Sequence, residues 1–352
     1  MEKYFELDQV TLLPAATNSG YNGEKLDLTV IDQSDKVFGR SYPIFTAPTH
    51  AIVGEENVKV FTDNGIKPVL SRDENINVRL NLCRYVFCAF SIAEVQSFFL
   101  KKSNTFRSAP DQYRLCIETG NGHDQKYLSL CSELKRIYGQ QVIVMGGNIG
   151  CAETYNDYAR AGFDYLRLGL ATGSTQDRND LGVCCPMGSL LDSLKMFKKS
   201  SAMGLPKQVK VIADGGIRTH SDIIKALALG ADYVMIGREF STVLEAYETV
   251  YKPGKDKRLE EVPIKDLVKY NGTKAKLDGL KRHYYSAPGL ERSSVMGKPS
   301  NDIESSWIWM NIDKTLAEWV EEFRICASYN LMMQGALNWE EFKLKVRYGT
   351  MS

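Results

Sequence analysis

The chain is poor in the signals that mark special classes of protein. It holds only four histidines and four tryptophans in 352 residues. Its eight cysteines (83, 88, 116, 131, 151, 184, 185 and 326) form no Cys-x-x-Cys and no pairing with histidine at zinc-like spacing. That argues against a metal module and a disulfide framework, and leaves reduced cytosolic thiols as the expectation. Excess charge is lacking as well: a formal net charge of +1 leaves no electrostatic footprint for nucleic acid or an anionic membrane. No uninterrupted apolar run approaches the length that crosses a bilayer. The opening MEKYFELDQV places acids where a secretory signal has its apolar stretch. Internal repeats and low-complexity tracts are absent too. The expected class is a cytoplasmic globular chain that binds neither nucleic acid nor membrane. With 43% hydrophobic and 25% charged residues it is too apolar for disorder.

What is present is a rhythm of short apolar runs. They are Tyr42–Ala47, Lys67–Ser71, Tyr85–Phe90, Tyr113–Glu118, Gln141–Met145, Tyr165–Gly169, Val209–Ala213 and Asp232–Ile236. Helical patterns follow several of them, at Leu128–Tyr138, Ala152–Ala161 and Ser221–Leu229, the last stopped by Gly230. Eight strands alternating with helices point to a (β/α)8 TIM barrel. A doubly wound sheet competes, but it wants a glycine fingerprint after the first strand, and PIFTAPTHAIVG supplies none. The expected domain is a single barrel over 1–352. It carries an N-terminal extension before residue 41, an insertion after strand eight within 251–312, and a C-terminal helix at Asp313–Leu331. The Lys-rich 251–283 stretch reads equally as a flap or as a solvated surface segment. Trp307 and Trp309 are expected to pack against the barrel.

In such a barrel the site lies at the C-terminal strand ends, with phosphate after strands seven and eight. Strand seven ends in Ala213-Asp214-Gly215-Gly216 and strand eight in Ile236-Gly237-Arg238. Glycines there let backbone N–H groups approach an anion, and Arg238 adds charge. Asp214 is placed to accept from a ribose diol. Tight turns without a ligand are the alternative, which two such turns at the expected strands disfavour. A Gly/Ser/Thr loop, 169–178, follows strand six; Gly146-Gly147-Asn148 follows strand five; Glu118-Thr-Gly-Asn121-Gly122-His123 follows strand four.

These residues resemble the IMP dehydrogenase/GMP reductase family along most of the chain. The stretch from Ile212 to Gly237 is close to the family's signature, and Val144–Asn148, Asp164–Gly169 and Thr46–Pro48 agree with it. The lack of a tandem CBS insert and the pair Asn121-Gly122 are more similar to GMP reductase than to IMP dehydrogenase. The resemblance implies a purine nucleoside monophosphate held by Ser174, Asp214, Gly215, Gly216, Gly237 and Arg238, with the base near Tyr285–Gly289. It implies NADPH or NADH near Glu118, Asn121, Gly122 and Asn148, and a homotetramer. It also implies a mobile acid at Glu304 working with a loop threonine. The family's monovalent-cation site is weakened, since Ala171-Thr172 replaces Gly-Pro.

One departure bears on the chemistry. The family's loop reads Gly-Ser-x-Cys-Thr-Thr-Arg, and its cysteine attacks purine C2. Here the loop reads Gly173-Ser174-Thr175-Gln176-Asp177-Arg178, so Thr175 stands in the nucleophile's place. A threonine hydroxyl is far less nucleophilic than a thiolate. Three readings follow. A reductase would use Cys184 or Cys185, or a non-covalent route in which Thr175, Glu304 and Arg72 handle protons. An IMP dehydrogenase-type oxidation with NAD shares the missing cysteine. A divergent member would bind or process a modified purine nucleotide without the redox step.

Overall fold

The structure is a computed structural model. It describes residues 4–15, 26–33, 35, 37–101, 112–170, 183–201, 208–254, 258–267, 270, 277–284 and 308–351, with backbone alone at 199–201 and 264–265. Eight parallel strands form the central sheet: β1 (Ile44–Thr46), β2 (Val69–Leu70), β3 (Phe87–Ser91), β4 (Tyr113–Glu118), β5 (Val142–Ile149), β6 (Tyr165–Leu168), β7 (Lys210–Asp214) and β8 (Tyr233–Ile236). Each pairs with its sequence neighbour, and β8 pairs back onto β1. The remaining gap is closed by a bridge: Lys67 donates its N–H to the Ile44 carbonyl and accepts from Thr46, each at 3.0 Å. The expected (β/α)8 barrel is therefore the observed one, and all eight predicted strands are in it.

The helices between strands are α1 (Val58–Asp63), α2 (Ile76–Leu82), α3 (Ile92–Glu94, continued as a π-helical stretch Val95–Leu100), α4 (Gln125–Tyr138), α5 (Tyr155–Ala161), α6 (Met187–Ser201) and α7 (His220–Ala228). Their ends carry local signals. Asp124 caps α4 through the Lys126 N–H, and Thr219 and Asp222 cap α7 reciprocally. Gly162 ends α5 at φ +84, a conformation that costs a side chain dearly. A long helix, α8 (Leu316–Met333), opens on a Thr315/Glu318 capping box and lays Trp319 against Phe240 and the His220 ring; a short one, Trp339–Lys345, follows it.

Inside the barrel, residues two apart along a strand share the inward face. Tyr165 and Arg167 on β6 illustrate the layering. Tyr165 packs edge-on with Phe45, Phe87 and Tyr233 in an aromatic layer, whereas Arg167 lies one layer nearer the C-terminal rim. The N-terminal mouth is plugged by the stretch before β1. Buried Asp32 accepts from the Tyr165 and Tyr233 hydroxyls and from Lys210, and Asp35 takes both Arg114 Nε and a terminal nitrogen at 2.9 and 2.6 Å. Lys67 is wholly buried beside them, its Nζ over the rings of Phe38, Phe45 and Tyr233.

Two features lie outside the barrel. Val10–Leu13 pairs antiparallel with Arg347–Thr350, so the extension and the C-terminal segment clasp each other. After β8, strands Val250–Pro253, Leu259–Val262, Lys281–Tyr284 and Ile308–Asn311 make an antiparallel sheet. It has a small core of its own, including Val250, Val262, Leu280 and Ile312. The described parts of the 251–283 insertion thus form a sheet with a buried face. Trp309 corrects an expectation. It stands on an edge strand of this sheet, 45% exposed and against His283 and Tyr251, whereas its neighbour Met310, on the opposite pleat, packs against the barrel core. Trp307 lies outside the described residues.

Candidate functional site

Polar side chains gather where the strands end. Arg167 projects from β6 into the barrel's top layer, 10% exposed. Its Nε and Nη2 contact Asp214 Oδ2 on β7 at 2.9 and 2.8 Å, and its Nη1 reaches Glu118 Oε1 on β4 at 3.4 Å. Asn148, at the end of β5, donates its amide to the same Asp214 oxygen at 2.7 Å. Arg72, just after β2, closes the chain with Nε 2.8 Å from Glu118 Oε2. Arg72, Glu118, Arg167, Asp214 and Asn148 therefore form one network across five staves. Burial works against the Arg167 charge, but Asp214, Cys116 and Glu118 outweigh it and hold the guanidinium protonated well above its ordinary value. The result is a preset arrangement in which neither carboxylate has to be desolvated or turned when a ligand arrives.

Next to it the backbone opens. Gly215 and Gly216 follow Asp214 at φ +98 and +75, the region that glycine enters freely. Successive amides in such a turn make a concavity for an anion. Gly237, after β8, has a second reason to lack a side chain: a Cβ there would stand 2.6 Å from the Tyr284 hydroxyl and 3.4 Å from Ala47 Cβ. Tyr284 is buried, and burial, with the Asp214 charge adding to it, pushes its phenol above the ordinary value, so it stays a protonated donor. Arg238 is exposed beside them.

Glu118, Gly122 and Asn148 meet on the side of β4 and β5. The Gly122 N–H donates to the Asn148 carbonyl at 3.2 Å, and a Cβ on Gly122 would lie 2.5 Å from that oxygen. Asn121 is exposed and spends its Oδ1 on the His123 N–H. His123 has both ring nitrogens engaged, with Thr154 Oγ1 and the Gly150 N–H. His220 begins α7, with its ring on Trp319.

The structure thus brings together Arg72, Glu118, Gly122, Asn148, Asp214, Gly215, Gly216 and Gly237 among the sequence candidates, with Arg238 alongside and Asn121 turned to its own loop. Ser174, Thr175, Glu304, Tyr285 and Gly289 lie outside the described residues, as do Ala171 and Thr172. Two residues escaped sequence reasoning. Arg167 could have been found as the one charge in the strand Tyr165–Leu168. Tyr284 stands one position before the tyrosine picked from sequence. Among the described residues no group of three or more His, Cys, Asp and Glu side chains is placed to hold a metal ion, and no helix is long and apolar enough to cross a membrane.

Comparison with known proteins gives matches in sequence and in fold. Residues 103–261 match the model of the IMP dehydrogenase / GMP reductase domain. A GMP reductase of Bacillus subtilis (strain 168) is 26% identical over 319 residues, covering 87% of this chain and 91% of that protein. An inosine-5′-monophosphate dehydrogenase of Chlorobaculum tepidum is 34% identical over 143 residues, 40% of this chain and 28% of that one. Among solved structures, the inosine 5′ monophosphate dehydrogenase from Legionella pneumophila superposes with a TM-score of 0.76 over 99% of each chain. Its identity of 18% makes that a likeness of fold.

Proposed function

Because residues 103–261 match the IMP dehydrogenase / GMP reductase domain, we propose that this chain is a member of that family of oxidoreductases, which act on purine nucleotides with nicotinamide cofactors, and that it is a GMP reductase-like enzyme. It binds a purine nucleoside 5′-monophosphate at the β7 and β8 rim and acts at purine C2. In this reading GMP, NADPH and protons give IMP, NADP⁺ and ammonium. The direction is supported by the relatives that align along most of the chain being named GMP reductase, whereas the dehydrogenase match spans 40% of it.

The observation that carries the reading is the fixing of Asp214. Its carboxylate is anchored by Arg167 and Asn148 directly before two glycines at positive φ. A ribose diol can donate to that carboxylate while the 5′-phosphate lies on the Gly215–Gly216 and Gly237 amides. Tyr284 donates from below and Arg238 adds charge from the solvent side. The nicotinamide, when bound, supplies or accepts hydride. Glu118, Gly122 and Asn148 fit it as a polar wall whose close Gly122–Asn148 approach leaves no room for a side chain. Arg72 acts through Glu118, whose Oε2 its Nε holds in place at 2.8 Å. Proton transfer falls to Thr175 and Glu304.

A second reading is favoured by Thr175 itself, which removes the thiolate from the standard position. Here the chain binds or processes a purine nucleotide without the covalent redox step. One experiment separates them. Titration with GMP and IMP measures binding, and NADPH oxidation with ammonium release measures turnover; NAD reduction with IMP tests the dehydrogenase-type oxidation. Turnover with GMP supports the first reading, and binding without turnover selects the second. Failure to bind either nucleotide removes both. Asp214→Asn should weaken nucleotide binding about tenfold or more, the worth of one charged hydrogen bond. Light scattering should report a tetramer.

A further inference from the structure

We propose that His50, held by Glu74, is a proton donor of the nucleotide site and protonates the purine amino group as it leaves C2. The proposal rests on the GMP reductase-like reading. That chemistry calls for a proton near neutral pH, and Thr175 and Glu304 offer only an alcohol and a carboxyl. Imidazole is the side chain whose ordinary titration range suits the task.

The chain has four histidines. His123 has both ring nitrogens engaged in its own loop region, His220 lies against Trp319 of α8, and His283 packs on Trp309 in the insertion sheet. His50 stands at the rim. Its loop leaves β1 beside the β8 turn, where the Ala47 N–H donates to the Ile236 carbonyl at 2.8 Å, one residue before Gly237. Glu74 belongs to the loop after β2, two residues beyond Arg72, which reaches Glu118. The two loops meet at His50 and Glu74. The pair thus joins the side of the mouth that would take the phosphate to the side that would take the nicotinamide.

The imidazole is held from two directions. Glu74 Oε2 faces His50 Nε2 at 3.9 Å, and Tyr247, after β8, packs on the ring with centroids 4.5 Å apart. Glu74 is itself pinned: its Oε1 accepts the Asn75 N–H at 2.9 Å, and its Oε2 accepts the Glu55 N–H at 3.1 Å. A carboxylate that orients an imidazole in this way is a recurring device of acid–base catalysis. His50 Nδ1 has no hydrogen-bond partner among the described residues, and the side chain is 31% exposed, which leaves it open to ligand and solvent. The charged groups around the Tyr247 ring are acids: Glu74 after β2, Glu55 and Glu56 on the His50 loop, and Glu248 after β8. Arg72, the cation of the β2 loop, is engaged with Glu118.

In the reaction C2 gains hydride from the nicotinamide and loses its amino group. The amino nitrogen keeps the electron pair of the breaking C2–N bond and takes the Nδ1 proton of His50. Ammonia departs, the ring is left neutral, and solvent restores its proton.

The test uses the full chain with its histidines labelled with ¹³C at Cε1. NMR follows them as GMP is added, and kcat and KM for GMP with NADPH are measured against pH. His50→Gln assigns the resonance by removing it. GMP should shift the His50 signal and raise its titration midpoint, because the nucleotide is an anion. The wild-type kcat should fall as the pH rises and the ring loses its proton. His50→Gln should lower kcat about a hundredfold with KM little changed, and should lose that limb of the profile. Glu74→Gln should keep the limb but move it to lower pH, since the imidazolium loses its carboxylate. Turnover that His50→Gln retains, or GMP bound with the His50 signal unmoved, overturns the proposal and leaves the reductase reading standing. GMP unbound, or bound without turnover, overturns both together. Should His50→Gln fail to fold, changing the other three histidines one at a time assigns the signal by elimination, and its response to GMP decides alone.

Discussion

Replacing Lys67 by methionine should stabilise this protein, and should do so less as the pH rises. Lys67 is wholly buried at the plugged mouth of the barrel, and among the described residues its Nζ has no hydrogen-bond partner. Desolvation drives its pKa from 10.5 down to about 8; Asp32 and Asp35 pull the other way, and Lys210 and Arg114 add to the fall. A base depressed in the folded state binds its proton more readily when unfolded, so folding at pH 7 carries a cost. At 1.36 kcal/mol per unit the cost is about 3 kcal/mol at pH 7 and about 1.4 kcal/mol at pH 9.5. Contacts with Phe38, Phe45 and Tyr233 favour the ammonium and return part of this in the wild type. Methionine keeps the aliphatic packing. Asp35 retains Arg114, and Asp32 retains Lys210 and two tyrosines. The expected gain is about 1–2 kcal/mol at pH 7, read as a higher urea midpoint with an unchanged slope. At pH 9.5 the two proteins should lie closer together, because the wild type has gained. A K67M protein less stable at pH 7, or a gap that does not narrow with pH, would refute the reasoning.

Two further substitutions address the rim. Gly237→Ala should weaken GMP binding and lower stability by about 1–3 kcal/mol, as overpacking does, because its Cβ meets the Tyr284 hydroxyl. Tyr284→Phe removes that oxygen and leaves ring carbon Cζ at 3.6 Å, so the double variant should regain stability but not nucleotide affinity; calorimetry of the three proteins checks this. Arg167→Met leaves Glu118 with Arg72 and Asp214 with the Asn148 amide but removes the buried cation between them, and should cost about 3–5 kcal/mol, seen as a lower melting temperature that partly recovers in Arg167→Met with Asp214→Asn.

Barrel strands were legible because each is buried on both faces and reads as a continuous apolar run, as in Val142–Met145. The rim glycines were legible because strand ends and turn chemistry coincide in the sequence. Arg167 was not, since a single cation in Tyr165–Leu168 looks the same whether it faces solvent or a carboxylate on the next strand. The sheet of the insertion was hidden for a related reason. Lys281–Tyr284 buries Arg282 and Tyr284 alternately, but a period written in Arg and Tyr carries no hydrophobic signal. Arg282 is paid for by the carbonyls of Val243 and Leu244, which only the folded chain brings to it. The same blindness to register explains why Tyr285 was picked over Tyr284.

The clasp between Val10–Leu13 and Arg347–Thr350 has a consequence for how the molecule is made. A ribosome releases the first of these strands long before the second exists, so its ladder groups must wait through synthesis of the whole barrel. A transcript cut short before codon 347 would yield a polypeptide with an orphan edge, ready to pair with a neighbour. Conversely, a short linker joining the two ends would let new ends be opened elsewhere.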